Sequence, residues 1–267
     1  MRPPRGTQLR EMGIALLGEH ATDTGAHDDD LKPRALWLNP PGPRHPGLLQ
    51  LTWLSDHWPP PRTPPRAGRL NWGQGTSTVE FRLRAEASTT TATALHHYFH
   101  ERSDTETWTT CRLRTRSGVL FKRGHTHYLN AAHLLDATIN RWHLVTSWTP
   151  PGTPRRDPPL PVPDHVAIRL RTGTALTVRH CTAASPHQIA TKAQRSTPAI
   201  RETALEFDVD LHCTATDTES LCWFRTLLAF AEIASLGRYT PTGLGAVTAT
   251  PADDATNLVE PELESGP

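Results

Sequence analysis

Residues Phe230 to Val247 place three glycines, Gly237, Gly243 and Gly245, and one arginine, Arg238, between an apolar helical pattern and a strand-like run. Glycine lets backbone amides approach a phosphate closely, and consecutive amides can form a concave anion site. Arg238 could clamp the same anion with its planar guanidinium. The spacing matches neither the P-loop nor the dinucleotide fingerprint, and the glycines follow a helix rather than a strand. On local chemistry alone the segment is a helix C-cap followed by a glycine-rich turn. The chain has 15 histidines, and residue type alone does not single out His27 among them. A histidine near neutral pKa can take or give a proton, and a cation nearby can stabilise a charged transition state. The competing reading of His27 is an exposed loop residue beside the acidic run Asp28 to Asp30. His20, at the end of the first helical pattern, is the alternative proton carrier, or else a cation answering the helix dipole.

Other candidates carry less. His96 and His100 have i, i+4 spacing, but no Glu occupies the H-E-x-x-H position and no third ligand is evident. They read as solvated surface, as do His125 and His127. Lys192 and Arg195 fall in the stretch Ala190 to Ser196, read as a loop before a strand. There they are either phosphate contacts or solvated charges. The four cysteines (Cys111, Cys181, Cys213, Cys222) show no CxxC spacing, so neither a disulfide scaffold nor a cysteine-rich zinc module is expected. No metal or cofactor is expected.

The 267 residues suffice for one large domain or two of about 130 each. No run of 18 apolar residues is present, so no spanning helix is expected, and the N-terminus lacks the apolar core of a secretory signal. A cytoplasmic setting with no membrane partner follows as the simplest expectation. The net charge of +1 conceals an asymmetry: residues 251–267 carry five acids and no base. Of the 28 bases, 25 are Arg and three are Lys. An Arg-rich body suits nucleic acid, but a GC-rich coding sequence enriches Arg, Ala, Pro, Thr and Gly together, so charge alone decides nothing.

The elements that must position these residues are separated by proline. Pro40 to Pro46 and Pro59 to Pro65 cannot be helix interior or central strand, and Thr149 to Pro163 holds seven prolines among fifteen residues. Leu9, Met12, Leu16 and Leu17 share one face of a helix over 7–19. Leu48 to Leu54, Val79 to Arg84 and Thr107 to Thr115 read as strands, and Ala92 to Glu101 as a helix. A helix over Ala131 to Val145 has Asn130 as its N-cap. Val166 to Leu170 and Ala175 to Arg179 read as strands paired around Thr172-Gly173. Ala204 to His212 alternates apolar and polar residues, with Asp208 and Asp210 facing outward. The last helix opens on a capping box, Thr216 to Glu219, and ends with Gly237 at C′. Ala246 to Thr250 is the final strand. Strands mixed with single helices, repeated in two halves, give an α+β chain of two tandem ferredoxin-like domains.

The order Ala231, Glu232, Gly237, Arg238, Thr240, Gly243, Gly245 after a helix resembles the C-terminal signature of the CRISPR-associated endoribonucleases of the RAMP superfamily, which process repeat RNA. Upstream, Cys111 to Thr115 followed by Leu129 to Trp142, ending in the pair Arg141-Trp142, is similar to that family's strand, loop and helix. Gly25-Ala26-His27-Asp28 with Lys32-Pro33 is similar to its N-terminal His–Lys-Pro region. The chain departs from the family in having Ala26 before the motif His, the Asp28 to Asp30 run, no Tyr before Tyr98, and no strand before the first helix.

The resemblance implies two RRM-like domains: residues 1–120, with the first strand missing, and 121–250, carrying the glycine-rich loop, before an acidic disordered tail over 251–267. It implies metal-independent cleavage of CRISPR repeat RNA into guide RNAs. The ribose 2′-OH attacks the adjacent phosphorus and leaves a 2′,3′-cyclic phosphate and a 5′-OH. His27 and Lys32 then sit at the catalytic positions, and Gly237, Arg238, Gly243, Gly245, Lys192 and Arg195 at RNA-binding ones. The alternatives are a non-catalytic RAMP-type subunit holding RNA in a CRISPR effector complex, and an unrelated Arg-rich nucleic-acid-binding module.

Overall fold

A computed structural model describes residues 7–18, 32–38, 47–55, 62–72, 77–82, 90–121, 129–147, 159–194 and 197–252. In chain order the elements are α1 (Thr7–Leu17), β1 (Arg34–Leu38), β2 (Leu48–Thr52), β3 (Ala67–Trp72), β4 (Ser77–Arg82), α2 (Ala92–Glu101) and β5 (Thr110–Thr115). There follow α3 (Ala131–Ser147), α4 (Asp164–Thr172), β6 (Leu176–Gln194), β7 (Thr197–Cys213), α5 (Thr218–Ala234), a 3-10 turn at Thr240–Thr242 and β8 (Val247–Pro251). His27, Arg195, His20, His125, His127 and the tail beyond residue 252 lie outside the described residues.

The second half contains one four-stranded antiparallel sheet in the order β6-β7-β5-β8. With α3 between β5 and β6, and α5 between β7 and β8, this is the ferredoxin-like β-α-β-β-α-β arrangement. Its central strand β5 begins at Thr110, so a boundary at residue 120 would cut this strand away from the two strands it pairs with. In the first half, among the described residues, β1–β2 and β3–β4 form two separate antiparallel ribbons. The apolar face of α1 packs there: Met12, Leu16 and Leu17 are buried with Leu70, against Trp37, Leu49, Leu51, Trp53 and Phe81.

The larger core lies between the four-stranded sheet and its helices. Leu113 from β5, Leu205, Phe207, Val209 and Leu211 from β7, and Leu134, Leu135 and Ile139 from α3 are buried there. Helix α5 is buried nearly all round, as a core helix must be when other helices cover it. Trp142 is fully buried at 0% exposure. Its ring meets Trp223 and Phe230 edge-on at 5.4 and 5.1 Å, and its Nε1–H donates to the Leu160 carbonyl at 2.7 Å.

Several local expectations need correction. Residues 164–172 are a helix and not a strand: Pro163 stands at the N-cap, Val166, Ala167 and Leu170 form one buried face, and Gly173 closes the end at φ 75°. The short apolar run was compatible with either period. Helix α5 is capped by Asp217 rather than Thr216; its Oδ1 accepts from the Ser220 amide at 2.7 Å. Glu219, released from a capping box, pairs with His165 at 3.0 Å. Asp210 does not face solvent freely. It is buried because Arg112 reaches across the sheet and donates from Nε at 2.9 Å. Lys192 is in strand β6, opposite Ile200, and not in a loop.

Two outcomes follow. Trp142→Ala removes the largest buried ring and its hydrogen bond, and is expected to cost about 3–5 kcal/mol in urea unfolding. The Asp217 carboxyl titrates at about 2 instead of 3.8: partial burial raises it, but hydrogen bonds from Ser220 and the Arg169 guanidinium outweigh that. Its folded pKa is the lower one, so the cap stabilises above pH 3.8 and is lost as pH falls through 2. Asp217→Ala should therefore cost about 1 kcal/mol at pH 7, and the gap to wild type should close as the same unfolding is measured at pH 2.

Candidate nucleic-acid interface

The glycine-rich segment starts where α5 stops. The chain leaves the helix at its C-cap Ser235, which takes φ 62° and ψ 165°, two residues before the expected Gly237, itself at φ 73°. The last carbonyls of a helix have no partner within it. Here Arg141 of α3 supplies one: Nη1 donates to the carbonyls of Ala234 at 3.0 Å and Ser235 at 2.9 Å, and Nη2 to that of Gly237 at 2.7 Å. One planar guanidinium thus holds the helix end and the entry to the loop, while the neighbouring Trp142 anchors α3 in the core.

The glycines allow close backbone contact. A Cβ on Gly237 would stand 2.3 Å from the Leu120 carbonyl oxygen, and one on Gly245 would stand 1.8 Å from that of Leu236. Gly243 is wedged against Leu9 of α1 and the Ala35 carbonyl of β1, at 2.7 and 3.0 Å from a built Cβ. All three have positive φ. The amides of this loop serve the protein itself. Leu236 N–H donates to Gly245 O, Arg238 N–H to Leu120 O, Gly243 N–H to Thr240 O and Gly245 N–H to Gly118 O. These amides therefore do not converge on an anion, and the loop meets a ligand through its side chains.

Arg238 is half-buried, with its guanidinium 5.0 Å from the Tyr239 ring centroid. Lys32 is only 7% exposed at the head of β1. Two residues on, Arg34 donates from Nε to the Thr240 hydroxyl at 2.9 Å. The fold therefore joins the Lys32–Pro33 region to the glycine-rich loop across about 200 residues of sequence. Lys192 is not part of this junction. Its β7 partner Ile200 lies eight residues from Asp208, the last β7 residue paired with β5, roughly 25 Å along the strand.

Three participants were not evident as site residues. Arg34 is a lone arginine in a short strand, Arg116 follows β5, and Arg141 carried a signal only through its pairing with Trp142. Arg34 and Arg116 line a cleft between the β1–β2 ribbon, the end of α5 and the loop. His96, expected at the surface, is instead half-buried against Trp223 at 4.3 Å between ring centroids. Burial, then His100 and His97, lower its pKa.

Arg141→Ala strands three carbonyls and should cost about 3 kcal/mol in urea unfolding. Limited proteolysis should then cut first within 235–245. Arg141→Lys cannot bridge three acceptors in one plane and should recover only part of the loss. Gly245→Ala should open the same segment, because its Cβ would overlap the Leu236 carbonyl.

No protein-family model and no curated protein sequence matches the chain. Solved structures do. Two Cas6 proteins of Thermus thermophilus in product complexes are similar. The first has TM-score 0.59 and 17% identity, over 92% of this chain and 93% of that one. The second has TM-score 0.57 and 15% identity, over 93% and 95%. A Cas6 substrate-mimic complex superposes at TM-score 0.55 with 17% identity over 92% and 93%. Over nearly its whole length, then, this chain has the fold of these Cas6 structures.

Proposed function

We propose that the protein binds CRISPR repeat RNA and cleaves it into guide RNAs by metal-independent attack of a ribose 2′-OH on the adjacent phosphorus. The observation that carries this reading is the contact between Arg34 and Thr240. It brings together the two sequence regions, Lys32–Pro33 and the glycine-rich loop, whose resemblance to the repeat-processing nucleases was independent in the chain. The neighbours of like fold are Cas6 complexes with product and with a substrate mimic.

In this reading His27 transfers the proton and Lys32 stabilises the charge on the phosphorane. Arg238 and the surface of the Gly237 to Gly245 loop hold the RNA backbone, and Lys192 and Arg195 make further phosphate contacts. The nucleophile is on the substrate, so no metal is required. The chain divides into two domains, with β5 belonging to the second, before the acidic tail. No described helix is long and apolar enough to cross a membrane, and we place the protein in the cytoplasm.

The burial of Lys32 favours a second reading, a non-catalytic subunit that holds RNA in a CRISPR effector complex. A phosphate would have to enter the head of β1 to meet that ammonium. Incubating the protein with repeat RNA from its own genome's CRISPR array, in EDTA, separates the two. The nuclease yields 2′,3′-cyclic phosphate ends and fails on a substrate with a single 2′-deoxy at the cleavage site. His27→Ala should slow single-turnover cleavage by about 100-fold or more while RNA binding is retained. Tight binding with no cleavage supports the subunit, and cleavage of the deoxy substrate rejects the mechanism. Indifference to the repeat sequence supports a general nucleic-acid-binding module.

A further inference from the structure

The cleft beside the glycine-rich loop has an unusual polar lining. Its floor on one side is one face of the β1–β2 ribbon, where the antiparallel register sets Arg34 opposite Thr52 and Leu36 opposite Gln50. Alternation sends the other face, with Trp37, Leu49 and Leu51, to the α1 core. The opposite wall is the last turn of α5 with Ile233, and apolar Val247 adds to it. Into this partly apolar slot open two groups of opposite charge, Glu232 and Arg116, both exposed. Among the described residues neither side chain has a hydrogen bond or an ion pair, although both line the same cleft.

The placement of Glu232 makes its structural role weaker still. It stands in the last turn of α5, which has no basic residue of its own. The carbonyl end of a helix disfavours a carboxylate. Arg141 does not answer it, since its donors are directed to the Ala234, Ser235 and Gly237 carbonyls. A carboxylate that is unpaired, set against the helix dipole and facing a cleft has the properties of a ligand contact.

We infer that this cleft is a guanosine-reading subsite of the RNA-binding surface, in which Glu232 accepts from the base and Arg116 holds the neighbouring phosphate. The inference rests on the RNA-binding reading above and adds to it a base specificity. Guanine alone among the four bases presents two adjacent donors, N1–H and the N2 amine, on its Watson–Crick edge. A carboxylate accepts from both at once, and single-stranded RNA exposes that edge. The apolar residues of the slot cover the ring face. Arg116 is exposed at the mouth, where a guanidinium can meet a phosphate without first leaving a partner.

The test uses the full chain and two 12-nucleotide probes, oligouridylate and the same oligomer with one central guanosine. The guanosine probe should bind about tenfold more tightly, the scale of a bidentate base contact. Replacing guanosine by inosine removes only the N2 amine and should lose most of that gain. Glu232→Gln should abolish the preference, the two probes then binding alike, with a melting temperature equal to or above wild type. Arg116→Ala should weaken both probes equally and lower the salt slope by about one. If wild type binds oligouridylate or repeat RNA but guanosine brings no gain, or if Glu232→Gln keeps the gain, the subsite is rejected and the RNA-binding reading stands. If neither probe nor repeat RNA binds, the RNA-binding reading falls and the subsite with it.

Discussion

A single buried guanidinium ties the site to the core. Arg141 satisfies three carbonyls at the end of α5 and the start of the glycine-rich loop. Without it, the buried Ala234 carbonyl and the part-buried carbonyls of Ser235 and Gly237 would lose their donor, at a cost of about 1–3 kcal/mol for each left unsatisfied. Arg141 is itself held by its position on α3, next to Trp142, whose ring lies among Trp223 and Phe230. The direction in which the chain leaves α5 is therefore set by the main hydrophobic core.

From that exit the loop is laid down by close backbone contact. Gly237 lies against Leu120, Gly245 against Leu236, and Gly243 against α1 and β1. The last of these contacts joins the two halves of the chain, and the bond from Arg34 to Thr240 joins them again. The glycines thus act as spacers that let the second half dock on the first, over the buried Arg34, and leave Arg116 and Glu232 exposed and Arg238 half-exposed beside the junction. A site assembled this way is preorganised by packing, which is what positioning an RNA phosphate or base requires.

Several charges elsewhere are paired locally. On the sheet face Arg112 pairs with Asp210 and lies 3.5 Å from Asp208. Helix α4 is tied to its neighbours by Arg169–Asp217 and Arg171–Asp136. Mostly solvent-exposed pairs of this kind contribute little stability. The overall balance of +1 is then no guide to where RNA would bind.

Periodicity placed α1, α3 and the inward face of β7, because each buries one face and the 3.6- and 2-residue repeats record that burial directly. The glycine-rich segment was legible by composition, since only glycine tolerates φ of 73–84° with a carbonyl within contact distance. What the sequence could not record is which distant backbone each glycine touches. Nor did it show that α4 is helical, where four apolar residues among the five of 166–170 fitted both periods until Pro163, Gly173 and the packing against α3 and α5 decided it. Arg34 and Arg116 were individually ordinary residues, and Glu232 was legible only as one position of the glycine-rich signature. They became a cleft only when α5, β1–β2 and β5 were brought together, because a binding surface depends on distances between segments far apart in the chain, and those distances are set by the packing of the core.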